Sequence, residues 1–459
     1  MTSTVTPTTS AAESTTRTKQ ERPSLTYKEA FRQYLYGPSQ QESEQMVLNQ
    51  TQLVSNPAHF DNHFRTSIND VPITVAKEYV HTNQPLHLHE FAIEQASPAL
   101  TQNASDNGNV LVMMHGYGAG LGFFYKNFDG LSAGLRDWNI YALDWLGYGL
   151  SSRPKFTIQT AKMSETRQAG SATTDTNSET IIKAVEETEN WFVESLEAWR
   201  QAKNIKTFTL MGHSMGGYLA AAYAFKYPEN VNKLIMVSPA GVETGYTPDL
   251  DESSFLSLFR KDSQVEEIKE KGPELQEELG PNLNAYDESK YQEPARRNVG
   301  KLFTYLWNKH ISPFALVRNS SFFGPKLVSN WSYWRFGRFP EAEREAMHMY
   351  SYRTFGARPS GEYAITRILA PGALARMPLL TRVQDKLKCP SVWIYGDNDW
   401  MHAPSGFEAA NIMNRIGRRD LFAEFHVVPK AGHHVYLDNV GKFNNVVLNF
   451  IKRKVWFIR

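Results

Sequence analysis

"KTFTLMGHSMGGYLAAAYAFKYP", residues 206–228, decides the fold. Its first third is a short run rich in β-branched and apolar residues, and its last third is alanine-rich with helical spacing up to Pro228. Between them, Gly212-His213-Ser214-Met215-Gly216 fits G-x-S-x-G. A strand that turns at once into a helix must bend so tightly that side chains at the two glycine positions would strike the backbone. The serine is then pushed out above the sheet. The stretch therefore predicts a strand, a nucleophile elbow and a helix, with Ser214 as nucleophile; a structural turn serine is the alternative.

Working outward, short apolar runs alternate with helical stretches. "PLHLHEFAIEQ" (85–95), "NVLVMMHG", "NIYALDWLGYG" and "VNKLIMVSP" read as strands, and "ETIIKAVEETENWFVESLEAWR" has the periodicity of a helix. After about residue 241 the alternation stops, and it resumes at "CPSVWIYGDND", "PSGFEAANIMNRI", "AEFHVVPKAGH" and a last helix near 439–454. Strand–helix alternation implies an α/β fold with a mostly parallel sheet covered on both faces. Because the pattern resumes, residues 242–388 read as a largely helical cap inserted into one core made of 61–241 and 389–459. Residues 1–60 read as a polar, disordered tail with one short amphipathic piece at "YKEAFRQYLYG", the organised part beginning near residue 85. Residues 155–179 and "KDSQVEEIKEKGPELQEELGPN" read as polar surface segments.

A nucleophilic serine needs a base, an acid that orients the base, and donors for negative charge. "HGYGAG" (115–120) follows a strand where such a fold places its oxyanion loop, so the N–H groups of Tyr117 and Met215 are the candidate donors, with Gly116 keeping the loop close. His115 and His213 precede loop and elbow and read as supports. "WIYGDNDWM" offers Asp397 and Asp399 as acids; Asp399, farther beyond the strand end, is preferred. "AGHH" offers His433 as base, with His434 as a packing neighbour. His433 is also followed five positions later by Asp438, the H-x-x-x-x-D spacing associated with acyltransferases. Since a neutral imidazole has one donor nitrogen, only one carboxylate can orient it. Asp399 is preferred for that, and Asp438 is expected to cap the start of the last helix.

Elbow, oxyanion loop and "DWLGYGLSSRP" together resemble the α/β-hydrolase superfamily. Within the insertion, "LWNKHISPFALVRNSSFFGPKLVSNW", "SGEYAITRILAPGALARMPLL" and "YGDNDWM" resemble one branch of it. That branch holds fungal cardiolipin-type phospholipid deacylases, plant relatives, and animal lipase co-activators with proposed lysophosphatidic acid acyltransferase activity. The resemblance covers roughly residues 85–455 and implies that Ser214, Asp399 and His433 occupy the triad positions. There are two departures from the animal members. The animal co-activator lacks the nucleophile that is present here, and the position of the animal members' acid corresponds to His402 here, which leaves Asp399 for the role.

Residues 301–355 contain 14 aromatic residues, among them Phe303, Trp307, Phe322, Phe323, Trp331, Trp334, Phe336 and Phe339, with eight Lys or Arg against three Glu. This mixture suits an acyl tunnel opening toward anionic headgroups, or a cap resting on a membrane; the alternative is a cap with its own aromatic core. Arg318 and Lys326 are candidate phosphate contacts. The reading is a phospholipid deacylase with no cofactor and no metal, a phospholipid substrate and peripheral membrane association. The rivals are a lysophospholipid acyltransferase and a lipase co-activator at a membrane or lipid droplet. A net charge of +1 provides no field for nucleic acid. A single cysteine, Cys389, rules out an intrachain disulfide. The Ser/Thr-rich start, without an apolar core, does not read as a secretory signal. Arg17 and Lys19 share features of a mitochondrial presequence, against which Glu13 speaks. The expected location is intracellular, either mitochondrial or cytoplasmic and droplet-associated.

Overall fold

The run Val110–Met114 is buried on both of its faces, which only a central strand of a covered sheet allows. In the computed structural model, which describes residues 24–160, 174–244, 301–320, 323–371 and 373–453, this run is β3 of an eight-stranded sheet. The strands are β1 (Phe64–Ile73), β2 (Leu86–Gln95), β3 (Val110–Met114), β4 (Asn139–Leu143), β5 (Phe208–His213), β6 (Val231–Val237), β7 (Ser391–Gly396) and β8 (Ala423–Val428). Their order is β1-β2-β4-β3-β5-β6-β7-β8. From β4 across to β8 every pairing is parallel, whereas β1–β2 and β2–β4 are antiparallel. The longer helices are α1 (Tyr27–Tyr36), α2 (Gln40–Leu48), α3 (Pro98–Asp106), α4 (Tyr125–Gly134), α5 (Thr174–Ala202), α6 (Met215–Lys226), α7 (Lys301–Asn308), α8 (Pro313–Asn319), α9 (Phe323–Arg335), α10 (Glu341–Gly356), α11 (Ala403–Arg415) and α12 (Val440–Lys452).

Alternation along each strand divides the interior into two cores. Val110, Val112 and Met114 pack with Leu210, Trp393 and the α5 residues Trp191 and Phe192 on one side. Leu111 and Met113 pack with Met211, Ile394, Phe128 of α4 and Phe450 of α12 on the other. This is the expected α/β arrangement. β6 and β7 are parallel neighbours, in register from Leu234↔Ser391 to Val237↔Ile394. The chain between them therefore leaves the sheet and returns to the adjacent lane, and its described part from 301 to 356 is chiefly the helices α7–α10. The surface segment at 261–282 lies outside the described residues, as does 161–173 of the polar loop.

The amino-terminal reading needs correction for residues 24–60. They form α1, α2 and a further turn at Gln52–Ser55, with Ala30, Val47, Leu48 and Leu53 buried. α2 turns Val47 and Leu48 inward while α1 buries only Ala30, and reciprocal capping boxes at Thr26/Glu29 and Ser39/Glu42 satisfy N–H groups at both helix starts. Glu44 then enters the core, where its carboxylate meets His89 Nε2 at 2.8 Å while Asp70 holds Nδ1 at 2.6 Å. β1, also unforeseen, pairs with β2 along its whole length.

Candidate active site

β5 ends at His213 and α6 begins at Met215, so one residue makes the whole turn. Ser214 does so at φ 54° and ψ −121°, a strained backbone for a residue with a side chain. Space at the turn is as tight as the motif predicts. A Cβ on Gly216 would lie 2.3 Å from the carbonyl oxygen of His115, and one on Gly212 would lie 2.3 Å from that of Gly216. Both obstacles are backbone and cannot move aside.

Two other strand ends converge on this serine. The loop after β8 brings His433 Nε2 to 3.0 Å from Ser214 Oγ. The loop after β7 brings Asp399 Oδ1 to 3.0 Å from His433 Nδ1. An ionised carboxylate only accepts, so Nδ1 carries the proton and Nε2 is left to accept from the serine hydroxyl. Burial alone would push the Asp399 carboxyl up, but hydrogen bonding and charge from His433, with the Met401 N–H at 3.0 Å, bring it below its ordinary value. Asp399 is thus anionic, with its side chain 1% exposed, a fixed negative charge facing the imidazole.

The supporting residues are each accounted for. Asp397 turns away from the histidine and accepts from the N–H groups of Lys430 (2.8 Å) and Ala431 (2.9 Å), shaping the turn that delivers it. His213 donates from Nε2 to the carbonyl of His433 at 2.9 Å. Burial, reinforced by the neighbouring His433, keeps His213 well below its ordinary pKa and hence neutral. His115 spans the oxyanion loop, donating from Nδ1 to Gly116 O (2.8 Å) and accepting the Trp145 N–H at Nε2 (3.1 Å). That loop crosses directly over the elbow, since a Cβ on Gly116 would come within 2.9 Å of Ser214 Cβ. The N–H of Met215, at the start of α6, has no carbonyl one turn back in its own helix. It is therefore open to a partner outside the helix, and Tyr117 follows Gly116 in the loop that crosses the elbow.

Three expected roles change. Arg318 is spent on Glu362, in a bidentate pair whose side chains are 14% and 6% exposed. Such a guanidinium is already neutralised and is no open phosphate contact. Lys326 donates to Ser24 Oγ and to the carbonyl of Leu25, pinning the start of the described chain to α9. Asp438 does not cap the last helix, for Asn439 does that by accepting from Lys442 N–H. Instead Asp438 Oδ2 accepts the Gly432 N–H at 2.9 Å, and its Oδ1 lies 3.0 Å from Arg335 Nη2. Two neighbours escaped the sequence reading. Trp400 lies beside His433 with ring centres 4.8 Å apart, and Arg335 reaches the histidine loop from α9. A Trp next to the acid motif was a usable signal for the first; nothing in the sequence joins Arg335 to a loop a hundred residues away.

Comparison with known proteins agrees with this geometry at the level of fold. Residues 109–440 match the family model for the alpha/beta hydrolase fold. A rice protein named as a probable 1-acylglycerol-3-phosphate O-acyltransferase is 33% identical over 361 residues, 77% of this chain and 70% of its own. The Arabidopsis thaliana 1-acylglycerol-3-phosphate O-acyltransferase is 35% identical over 356 residues, 76% of this chain and 68% of its own. A mouse (lyso)-N-acylphosphatidylethanolamine lipase is 29% identical over 339 residues, 73% of this chain and 77% of its own.

Proposed function

The chain belongs to the alpha/beta hydrolase fold family, and we propose that it is a serine acyl-ester hydrolase acting on glycerophospholipids. The observation that carries the reading is the unbroken line Ser214 Oγ, His433, Asp399, with both links at 3.0 Å and the serine on a strained elbow. Ser214 attacks the ester carbonyl while His433 takes its proton, and Asp399 stabilises the imidazolium that forms. The N–H groups of Met215 and Tyr117 receive the oxyanion; one such donor contributes about 3–4 kcal/mol to the transition state. His433 then returns the proton to the departing lysolipid oxygen and draws one from water, which releases the fatty acid from Ser214. Ser214→Ala should abolish fatty acid release from phospholipid vesicles, and full residual release would refute the mechanism.

Lipid as the substrate class is supported by relatives named for phospholipid acyl chemistry. The insertion, with its proposed limits at 242–388, would together with α1 supply the surface that meets a bilayer. α1 and α9 are adjacent, and each turns an apolar stripe at helical spacing to solvent: Tyr27, Phe31, Tyr34 and Leu35 on one, Phe323, Leu327 and Trp334 on the other. The Tyr27 and Phe323 rings meet edge to face at 6.0 Å and join the stripes. Lys28, Arg32 and Arg338 are exposed alongside, a charge pattern suited to anionic headgroups. Among the described residues no helix is long and apolar enough to cross a membrane. Trp334→Glu, at a side chain 78% exposed, should weaken sedimentation with anionic vesicles and leave turnover of a soluble ester unchanged.

Acyl transfer to a lysophospholipid is the second reading, favoured by the names of the plant relatives. It uses the same acyl-serine and differs in the attacking nucleophile. Purified protein given mixed phospholipid vesicles, with and without lysophospholipid plus acyl-CoA, separates the two. Free fatty acid with lysolipid indicates hydrolysis, and CoA release with new diacyl lipid indicates transfer. The same lipid analysis ranks cardiolipin against other headgroups.

A further inference from the structure

One cation of the insertion reaches the loop that carries His433 at two residues, His434 and Asp438. Arg335 is the last residue of α9, and its side chain is only 15% exposed. Its Nη2 lies 3.0 Å from Asp438 Oδ1, and its Nε donates to His434 Nδ1 at 3.3 Å. The other oxygen of Asp438 accepts the N–H of Gly432, the residue immediately before His433. Asp438 and Gly432 thus clamp the segment between them into a closed loop, and Arg335 grips that loop at two points. His434 can take part only as a neutral ring. Burial, followed by the charge of Arg335 itself, holds its pKa well below the ordinary value and leaves Nδ1 free to accept. The same ring stacks on Phe123, with centroids 5.8 Å apart, just past the oxyanion loop.

We propose that Arg335 and Asp438 are positioning residues that lock the His433 loop to the insertion, so that the base is aligned only while α9 is seated. On this account the H-x-x-x-x-D spacing of His433 and Asp438 marks a loop closure and not a His–Asp catalytic pair. The carboxylate works through the backbone of Gly432 and the guanidinium of Arg335, whereas the imidazole is oriented by Asp399. The proposal rests on His433 being the base of the proposed function.

The test is a double-mutant cycle on Arg335→Gln and Asp438→Asn, with Arg335→Lys as the conservative variant. Turnover of a short soluble ester gives kcat and KM, and hydrogen exchange of the 429–439 backbone gives loop order without reference to catalysis. Each single variant should lower kcat by about tenfold to a hundredfold, since a misplacement of about 1 Å can cost 10²-fold, with KM within twofold. Each should also speed exchange in the loop. The double variant should be no worse than either single, and Arg335→Lys should recover part of the loss. Multiplicative losses in the double, or unchanged exchange and kcat in Asp438→Asn, would overturn the lock. A loss for Asp438→Asn as deep as that for Asp399→Asn would make Asp438 the orienting acid and overturn it as well. Should Ser214→Ala keep full ester turnover, the proposed function fails, and the exchange measurements alone then decide the lock.

Discussion

Replacing Asp399 with Asn removes one charge at the most consequential point of the site and keeps the side chain's size. In the proposed mechanism His433 becomes an imidazolium in the transition state, and its Nδ1 lies 3.0 Å from Asp399 Oδ1. Two unit charges at that separation attract by about 5.5 kcal/mol at an effective dielectric constant of about 20. At about 1.4 kcal/mol per tenfold in rate, their loss should lower kcat by roughly 10⁴. KM should change little, because the ground-state imidazole is neutral and the carboxylate is shielded from substrate by the ring. The assay is steady-state hydrolysis of a soluble ester by wild type, Asp399→Asn and Asp397→Asn, with thermal melts to confirm folding. Asp397→Asn should weaken the turn at Lys430 and Ala431 while leaving far more activity than Asp399→Asn. Retention of more than about a tenth of wild-type kcat by Asp399→Asn would refute the assignment, since it leaves less than about 1.4 kcal/mol for a contact expected to contribute several.

Other expectations follow from the same geometry. Gly216→Ala places a methyl group 2.3 Å from a backbone oxygen, and should cost about 1–3 kcal/mol of stability in denaturant unfolding, with loss of ester turnover. Arg318→Ala strands the buried Glu362 carboxylate and should destabilise by about 3–5 kcal/mol; a raised KM for phospholipid with unchanged stability would restore the headgroup role. Burial opposes protonation of His89, but Glu44, Asp144 and Asp70 outweigh it and raise its pKa to about 9. A raised histidine stabilises fully below its unfolded value near 6.5, and that stabilisation is lost as pH rises toward 9. The shift corresponds to roughly 3 kcal/mol at most, reduced by the cost of burying Glu44. Proteolysis within α1 and α2 should therefore accelerate between these pH values, and Glu44→Gln should flatten the dependence.

Much of this molecule could be read from its sequence because the relevant forces are local. β3, β5 and β7 are continuous apolar runs, and Gly212 and Gly216 flank the serine because the turn admits no Cβ. The misreadings involve partners distant in sequence. β1 carries Arg65, Ser67, Asn69 and Asp70 on an edge strand, so its residues look like loop until β2 is beside them. α1 and α2 bury few residues, so no continuous apolar run marks them, yet T-x-x-E at 26–29 and S-x-x-E at 39–42 mark both helix starts. Arg318 and Lys326 read as free cations because charge in a sequence is unpaired by default. Their partners, Glu362 and Ser24 with Leu25, lie 44 residues ahead in one case and about 300 residues back in the other.

The position of Asp438 also bears on hydrolysis against transfer. Had this carboxylate faced His433, the spacing would have been a reason to assign a second chemistry to the same histidine. Its two oxygens are instead directed to the Gly432 N–H and to Arg335, and the imidazole has its single orienting acid in Asp399. Hydrolysis and transfer then share every catalytic group and differ only in which hydroxyl reaches the acyl-serine. Trp400 is a candidate for influencing that choice, since its ring lies beside His433 with centroids 4.8 Å apart and is 44% exposed. If that ring shields the histidine from bulk water and offers its apolar face to a lysolipid, removing it favours water as the acceptor. Trp400→Ala should raise the ratio of hydrolysis to acyl transfer when both acceptors are supplied, read as free fatty acid against diacyl product. An unchanged ratio would place the selection elsewhere, in the insertion.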